Sequence, residues 1–347
     1  MFKICICGGG NLGHAIAGYL AAKEDCRVSL LTRHPDKWNN VLKITDPNNK
    51  AYRGELYKIS NDASEVLSDI DIILLCLPGF AMEKELQYIA PFVKEDTYVG
   101  SIVSNSGFFI WAQEILPKHT KLFGFQRVPL EARVNEYGHS ARILGYKSSL
   151  AIATLNVPDE TLVKRSIELL FGIPVKILDN YMAVTLSNSN PLLHPSRLYA
   201  LFGHQHNREA TYTRQPLFYE EWDDMSSELL ISCDNELQTL VRVLGLPADS
   251  VPPILKHYES HDAQSLTQKI RSIATFKGLK APMKQIDTNK FIPDFESRYF
   301  TEDIPYGLSL IKYVAQKHNV KTPTIDKILN WAESLGIKSA IGAPINL

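Results

Sequence analysis

Side chains and glycines able to do chemistry gather in three short segments. Near the start, an apolar run ending at Cys7 leads into Gly8-Gly9-Gly10-Asn11-Leu12-Gly13 and then into a helix-like stretch from His14 to Ala22. The spacing fits G-x-G-x-x-G, which between a strand and a helix is a dinucleotide-binding fingerprint. Gly8 permits a tight turn, Gly10 lets the backbone approach a pyrophosphate, and Gly13 lets the helix pack close to the strand. The phosphates would sit on the unpaired N–H groups around Asn11 and Leu12. About twenty positions past the glycines, an acidic residue would hold the ribose 2'-hydroxyl of NAD. This chain has Thr32-Arg33 there instead. A guanidinium suits the 2'-phosphate of NADP, with Thr32 as a further donor, so NADP is expected over NAD.

The other two segments lie in the second half. Asn188-Ser189-Asn190-Pro191-Leu192-Leu193-His194-Pro195 is dense in polar groups and prolines, and Arg298-Tyr299-Phe300-Thr301-Glu302-Asp303-Ile304-Pro305 sets an Arg beside two carboxylates. A helix is expected to start just after Pro305. His194 can exchange a proton near neutral pH, and a carboxylate would fix its tautomer. Arg298 suits a two-pronged grip on a substrate carboxylate. Spacing alone does not pair His194 with Asp303, and a structural histidine stays open at this point.

The glycine loop with Asn11, the Asn188-x-Asn190-Pro191-x-x-His194-Pro195 segment and Arg298-Tyr299-x-x-Glu302-Asp303-Ile304-Pro305-x-Gly307 together resemble the octopine/nopaline (opine) dehydrogenases. Phe218-Tyr219-Glu220-Glu221-Trp222 and Phe276-Lys277-Gly278 also look like that family's helical domain. The resemblance implies reductive condensation of an amino acid with a 2-oxo acid, with a nicotinamide cofactor supplying hydride to the imine. It implies His194 as general acid/base, Asp303 as its orienting partner, Arg298 as carboxylate anchor and Asn190 as a positioning group. A ketopantoate-reductase-like or other 2-oxo-acid reductase is the alternative enzyme. Against it, no Lys occurs between Asn180 and His194, where such an enzyme would place its catalytic Lys. A non-catalytic NADP-binding regulator is the alternative from a different class.

These groups need a frame. From Phe2 to about Asn180, β-branched and apolar runs (Lys3–Cys7, Arg27–Thr32, Ile70–Leu77, Tyr98–Ser104, Lys121–Phe125, Leu150–Thr154, Val175–Leu178) alternate with helix-period segments. That alternation signals a mostly parallel sheet with crossover helices, a doubly wound Rossmann-type α/β domain over residues 1–180. Residues 181–347 read as an all-α second domain, from amphipathic stretches such as Glu220–Leu244, Ser265–Phe276, Tyr306–His318 and Thr324–Leu335. Ligands of open α/β sheets lie at the carboxyl ends of the strands. The turns after Leu77-Pro78 and at Asn105 should therefore border the cofactor.

Composition excludes several classes. A chain of 347 residues with 45% hydrophobic and 22% charged residues is an ordinary globular protein of two domains. A net charge of -1 argues against nucleic acid or an anionic membrane as partner and for small-molecule substrates. No apolar stretch is long enough for a membrane span. The absence of a leader-like start points to the cytoplasm, and a homodimer is left open. The five cysteines contain no C-x-x-C and read as structural thiols, so no metal is expected.

Overall fold

The computed structural model describes residues 1–204, 208–247 and 249–340. The chain divides into two compact units, Met1–Thr185 and Leu186–Leu347. Among the described residues no helix is long and apolar enough to cross a membrane.

The first unit opens with β1 (Phe2–Cys7), α1 (Asn11–Ala21), β2 (Cys26–Leu31), β3 (Val41–Thr45), β4 (Ala51–Glu55) and β5 (Lys58–Ser60). It continues through α2 (Ala63–Leu67), β6 (Ile72–Leu75), α3 (Gly79–Ile89), β7 (Tyr98–Ser101), α4 (Phe108–Ile115) and β8 (Lys121–Phe125). Then come β9 (Leu130–Glu136), β10 (Ser140–Tyr146), β11 (Leu150–Leu155), α5 (Glu160–Phe171), β12 (Val175–Leu178) and α6 (Tyr181–Leu186). Eight strands form the main sheet in the order β12-β11-β8-β7-β6-β1-β2-β5. All neighbours are parallel except β8 and β11. In β1 and β6 every residue from Ile4 to Cys7 and from Ile72 to Leu75 is apolar and buried, as strands covered on both faces must be. The order reverses at β1, with β2 on one side and β6 on the other, which is the switch point where such sheets bind ligands.

A second sheet, β4-β3-β10-β9, was not expected from the sequence. It covers α1, and the contact depends on Gly18, where a Cβ would lie 2.6 Å from Ile44 Cγ1. The Asp46-Pro47-Asn48-Asn49 cluster is the turn between β3 and β4, with Asn49 in the left-handed region at φ 61°.

The second unit contains α7 (Asn190–Phe202), α8 (Asp224–Val243), α9 (Ile254–His257), α10 (Ala263–Ser272), α11 (Ser309–Lys317) and α12 (Pro323–Ser334). Its regular elements among the described residues are helices and one hairpin, β13 (Met283–Asp287) and β14 (Lys290–Pro293), turning at the Asp287-Thr288-Asn289 cluster. The polar, proline-rich segment around His194 is itself helix α7. Pro191, His194, Pro195, Leu198 and Phe202 are all buried at helical spacing, so His and Pro occupy places where apolar residues are usual. The helix expected to begin after Pro305 starts earlier, as a π-helical stretch over Tyr299–Leu308 that runs into α11. Pro305 has no N–H and would crowd the preceding turn of an ordinary helix, and a widened turn accommodates it.

Candidate functional site

The first unit builds a cradle from backbone. Gly8 has φ +116°, a conformation side chains disfavour, and a Cβ there would meet the Cys76 carbonyl oxygen and Leu77 Cδ2, each at 2.8 Å. A Cβ on Gly13 would come within 1.9 Å of the Gly8 carbonyl oxygen, so α1 can start against the loop only with glycine. Gly10 differs, because a Cβ there would meet nothing within 4 Å and would project into open space. The N-terminus of α1 has no side-chain cap, nor do those of α3 after Pro78 and α4 after Gly107. By contrast, α2 and α5 are capped by Asp62 and Asp159. The uncapped helices follow β1, β6 and β7, adjacent at the centre of the sheet, and helix starts without a side-chain cap fit a dinucleotide's phosphates.

Thr32 is buried at the end of β2, and Arg33 beyond it is exposed. Among the described residues Arg33 forms no hydrogen bond or ion pair, so its guanidinium is available to a ligand. No sequence pattern pointed to Glu85 on α3, whose carboxyl is pushed up by burial against the smaller opposing effect of the Arg33 charge. Leu77 lies over Gly8, and Asn105 is half-buried in the turn before α4. The Asn11 side-chain oxygen accepts the Val134 N–H at 2.9 Å, tying β9 to the loop and leaving the amide NH2 to reach a ligand.

His14, directly after the loop, binds the second sheet to it. Its Nδ1–H donates to the Gly10 carbonyl at 3.0 Å, and its Nε2 accepts the Gly138 N–H at 2.7 Å. The ring stacks on Trp38 at 4.0 Å, and burial lowers its pKa from 6.5, which keeps it neutral. The helix position after a G-x-G-x-x-G loop is the only sequence signal for this role.

In the second unit the structure brings His194 and Asp303 together. Nδ1 of His194 lies 2.7 Å from Asp303 Oδ2, and both side chains are nearly buried, at 10% and 14% exposure. Such a carboxylate fixes the ring's tautomer and orientation. The π-helical stretch approaches α7 at Gly307, where a Cβ would lie 2.7 Å from Pro191 Cγ. That approach sets Tyr299 edge-on to the His194 ring at 4.5 Å. Arg298, immediately before the π-helical stretch, is exposed. Among the described residues it forms no hydrogen bond or ion pair. Asn190 is exposed at the first turn of α7, its N–H donating to Asn188 Oδ1 at 3.2 Å.

Two residues at this site were missed as site residues by the sequence reading. Tyr219 places its hydroxyl 2.8 Å from His194 Nε2, and its ring stacks on Phe276 at 4.0 Å. Burial, with Tyr299 beside it, pushes the Tyr219 phenol well above its ordinary range, so it stays protonated. Arg197, one helical turn beyond His194 and 1% exposed, holds the loop that carries Tyr219. Its Nε donates to the Phe218 carbonyl at 3.0 Å and Nη2 to the Glu221 carbonyl at 2.5 Å. Nη1 donates to Asp223 Oδ2 at 2.7 Å and to Ser226 Oγ at 3.2 Å. The only sequence trace of Tyr219 was the aromatic cluster from Phe218 to Trp222.

Comparison with known proteins follows this division. The family model for the NAD/NADP octopine/nopaline dehydrogenase alpha-helical domain matches residues 177–335, and that for ketopantoate reductase PanE/ApbA matches residues 4–119. The chain is 28% identical to octopine dehydrogenase of Pecten maximus over 95% of its length and 89% of that protein. It is 27% identical to tauropine dehydrogenase of Arabella iricolor over 96% of its length and 91% of that protein. A solved structure of octopine dehydrogenase with NADH and L-arginine superposes with a TM-score of 0.86 at 26% identity, covering 96% of this chain and 89% of the other.

Proposed function

This chain belongs to the octopine/nopaline (opine) dehydrogenase family, and from that premise we propose that it condenses the amine of an amino acid with a 2-oxo acid by reducing the imine between them. The observation that carries the reading is the 2.7 Å contact of His194 Nδ1 with Asp303 Oδ2. A bound nicotinamide supplies hydride to the imine carbon. The protein must supply a proton to the nitrogen, and His194 is the group that holds it. Asp303 keeps the Nδ1 proton directed toward itself and offsets the imidazolium charge. Exposed Arg298 grips a substrate carboxylate with two parallel N–H donors, and Asn190 positions the substrate.

The glycine loop and the uncapped end of α1 hold the pyrophosphate, with Asn11, Leu12, Leu77, Pro78 and Asn105 around the rest of the dinucleotide. NADP is favoured over NAD because the tip of β2 offers Arg33 and Thr32 to a 2'-phosphate.

The test is oxidation of NADPH and of NADH by the purified protein with a panel of 2-oxo acids, each with and without amino acids. Oxidation that requires both an oxo acid and an amine is expected. Oxidation with an oxo acid alone would make this a 2-oxo-acid reductase, the reading to which the ketopantoate reductase match over residues 4–119 lends weight. Tight dinucleotide binding without turnover would make it a regulator.

A further inference from the structure

An imidazole has two ring nitrogens, and each makes one hydrogen bond in the ring plane. At His194 both are taken, Nδ1 by Asp303 at 2.7 Å and Nε2 by the Tyr219 hydroxyl at 2.8 Å. A substrate nitrogen therefore has no ring position to bond directly. Either Tyr219 leaves, or the proton passes through it.

Tyr219 is held against leaving. It is 4% exposed, lies flat on Phe276 at 4.0 Å and edge-on to Phe218 at 4.9 Å. Arg197 grips the carbonyls of Phe218 and Glu221 on either side of it, from the same helix that carries His194. The backbone on both sides of Tyr219 is thereby fixed, and swinging the phenol away would lose its stacking on Phe276 and leave a buried His194 Nε2 unpaired, a costly change.

We propose that Tyr219 is the group that hands the proton to the substrate, with His194 as the reservoir behind it and Arg197 as the positioning residue. The step rests on the imine-reduction reading. The Tyr219 O–H proton moves to the imine nitrogen as the imidazolium Nε2–H proton moves to the phenol oxygen. The O–H and Nε2–H bonds break, an N–H and a new O–H form, and the imidazole is left neutral. The electron pair of the new C–H bond arrives with the hydride that the reduced nicotinamide supplies. A hydroxyl suits this place because it accepts and donates in one movement, and it begins and ends protonated.

The experiment compares wild type with Tyr219→Phe, which keeps the ring and its stacking and removes only the hydroxyl. In steady-state assays kcat is expected to fall at least about a hundredfold, as for loss of a general acid, with KM little changed. The proton inventory in H2O/D2O mixtures is expected to be curved for wild type, with two protons in flight. A variant within about threefold of the wild-type kcat, or a linear wild-type inventory in a proton-limited step, would overturn the relay. A second measurement needs no turnover. In 15N-labelled protein without cofactor or substrate, the His194 imidazole resonances, assigned with His194→Gln, are expected to shift between wild type and Tyr219→Phe. Identical His194 titrations would show that the phenol is not on Nε2 and overturn the proposal. Oxidation with an oxo acid alone would sink the condensation reading while leaving the Tyr219 comparison intact, since a carbonyl oxygen needs the same proton.

Discussion

His14 and His194 are both buried and both bonded through each ring nitrogen, yet they are built for opposite ends. His14 lies between a carbonyl, Gly10, and an N–H, Gly138. Neither backbone group can exchange roles. Protonating the ring would set a new Nε2–H against the Gly138 N–H, two donors facing each other in a buried place. His194 lies between a carboxylate and a hydroxyl. A second proton meets an anion on one side and, on the other, a hydroxyl that turns to accept. Buried histidines thus divide by whether their partners can reverse. Backbone partners make a strut, and side-chain partners make a proton store.

The sharpest way to break that distinction is to remove each ring. His194→Ala is expected to lower kcat by about a hundredfold to ten-thousandfold, the span of general acid–base catalysis, while dinucleotide binding measured by nucleotide fluorescence is unchanged. Near-full turnover would end the assignment of His194 to proton transfer. His14→Ala is expected to do the reverse. It strands the Gly138 N–H, at about 1–3 kcal/mol for a buried group left unpaired, while the Gly10 carbonyl keeps the backbone N–H of residue 14, so denaturant unfolding should show a loss of stability. Turnover per folded molecule should persist.

The sequence was readable where a pattern is local and unreadable where a partner is remote. The G-x-G-x-x-G spacing, the strand alternation and the uncommon Arg298-to-Gly307 run are local, and they led to the Rossmann-type sheet and to His194 and Asp303 as candidates. The second sheet escaped notice because β9 and β10 are half-exposed strands of mixed polarity, ordered by α1 and by His14 rather than by their own pattern. Tyr219 escaped for a similar reason. Nothing near residue 219 indicates that a guanidinium from Arg197 will fold the Phe218–Trp222 turn toward His194. The start of the π-helical stretch at Tyr299, six residues before Pro305, departs from ordinary helix rules and could not be read from proline placement.

The glycine loop offers a middle-sized test of what the strut at His14 supports. Gly10→Ala adds a methyl that meets nothing within 4 Å of the protein, so its thermal unfolding should match wild type. Dinucleotide affinity should nonetheless fall at least about tenfold, or 1.4 kcal/mol, because the methyl occupies the side from which the pyrophosphate approaches. Unchanged affinity would mean that the phosphates do not pack on Gly10. Arg33→Ala should weaken NADPH by a similar factor and NADH much less. Equal effects on both would separate Arg33 from the 2'-phosphate.

The smallest expected effect, and the most direct reading of the strut, is in the pH dependence of stability. Burial lowers the folded-state pKa of His14 from 6.5. The sign follows from proton counts. As pH falls below 6.5 the unfolded chain takes up a proton on this ring while the folded protein still resists it, so protonation favours unfolding. The contribution of His14 is present in full above 6.5 and is lost as pH drops toward the lowered folded value, by no more than about 1.4 kcal/mol per pH unit, the limit for one proton. Denaturant unfolding of wild type and His14→Gln between pH 5 and 8 should therefore differ by a constant amount above neutrality and converge as pH falls below 6.5. Parallel curves would show that the folded protein protonates His14 as readily as the unfolded chain does. The ring would then be no strut, and its difference from His194 would have to lie elsewhere than in partners that cannot reverse.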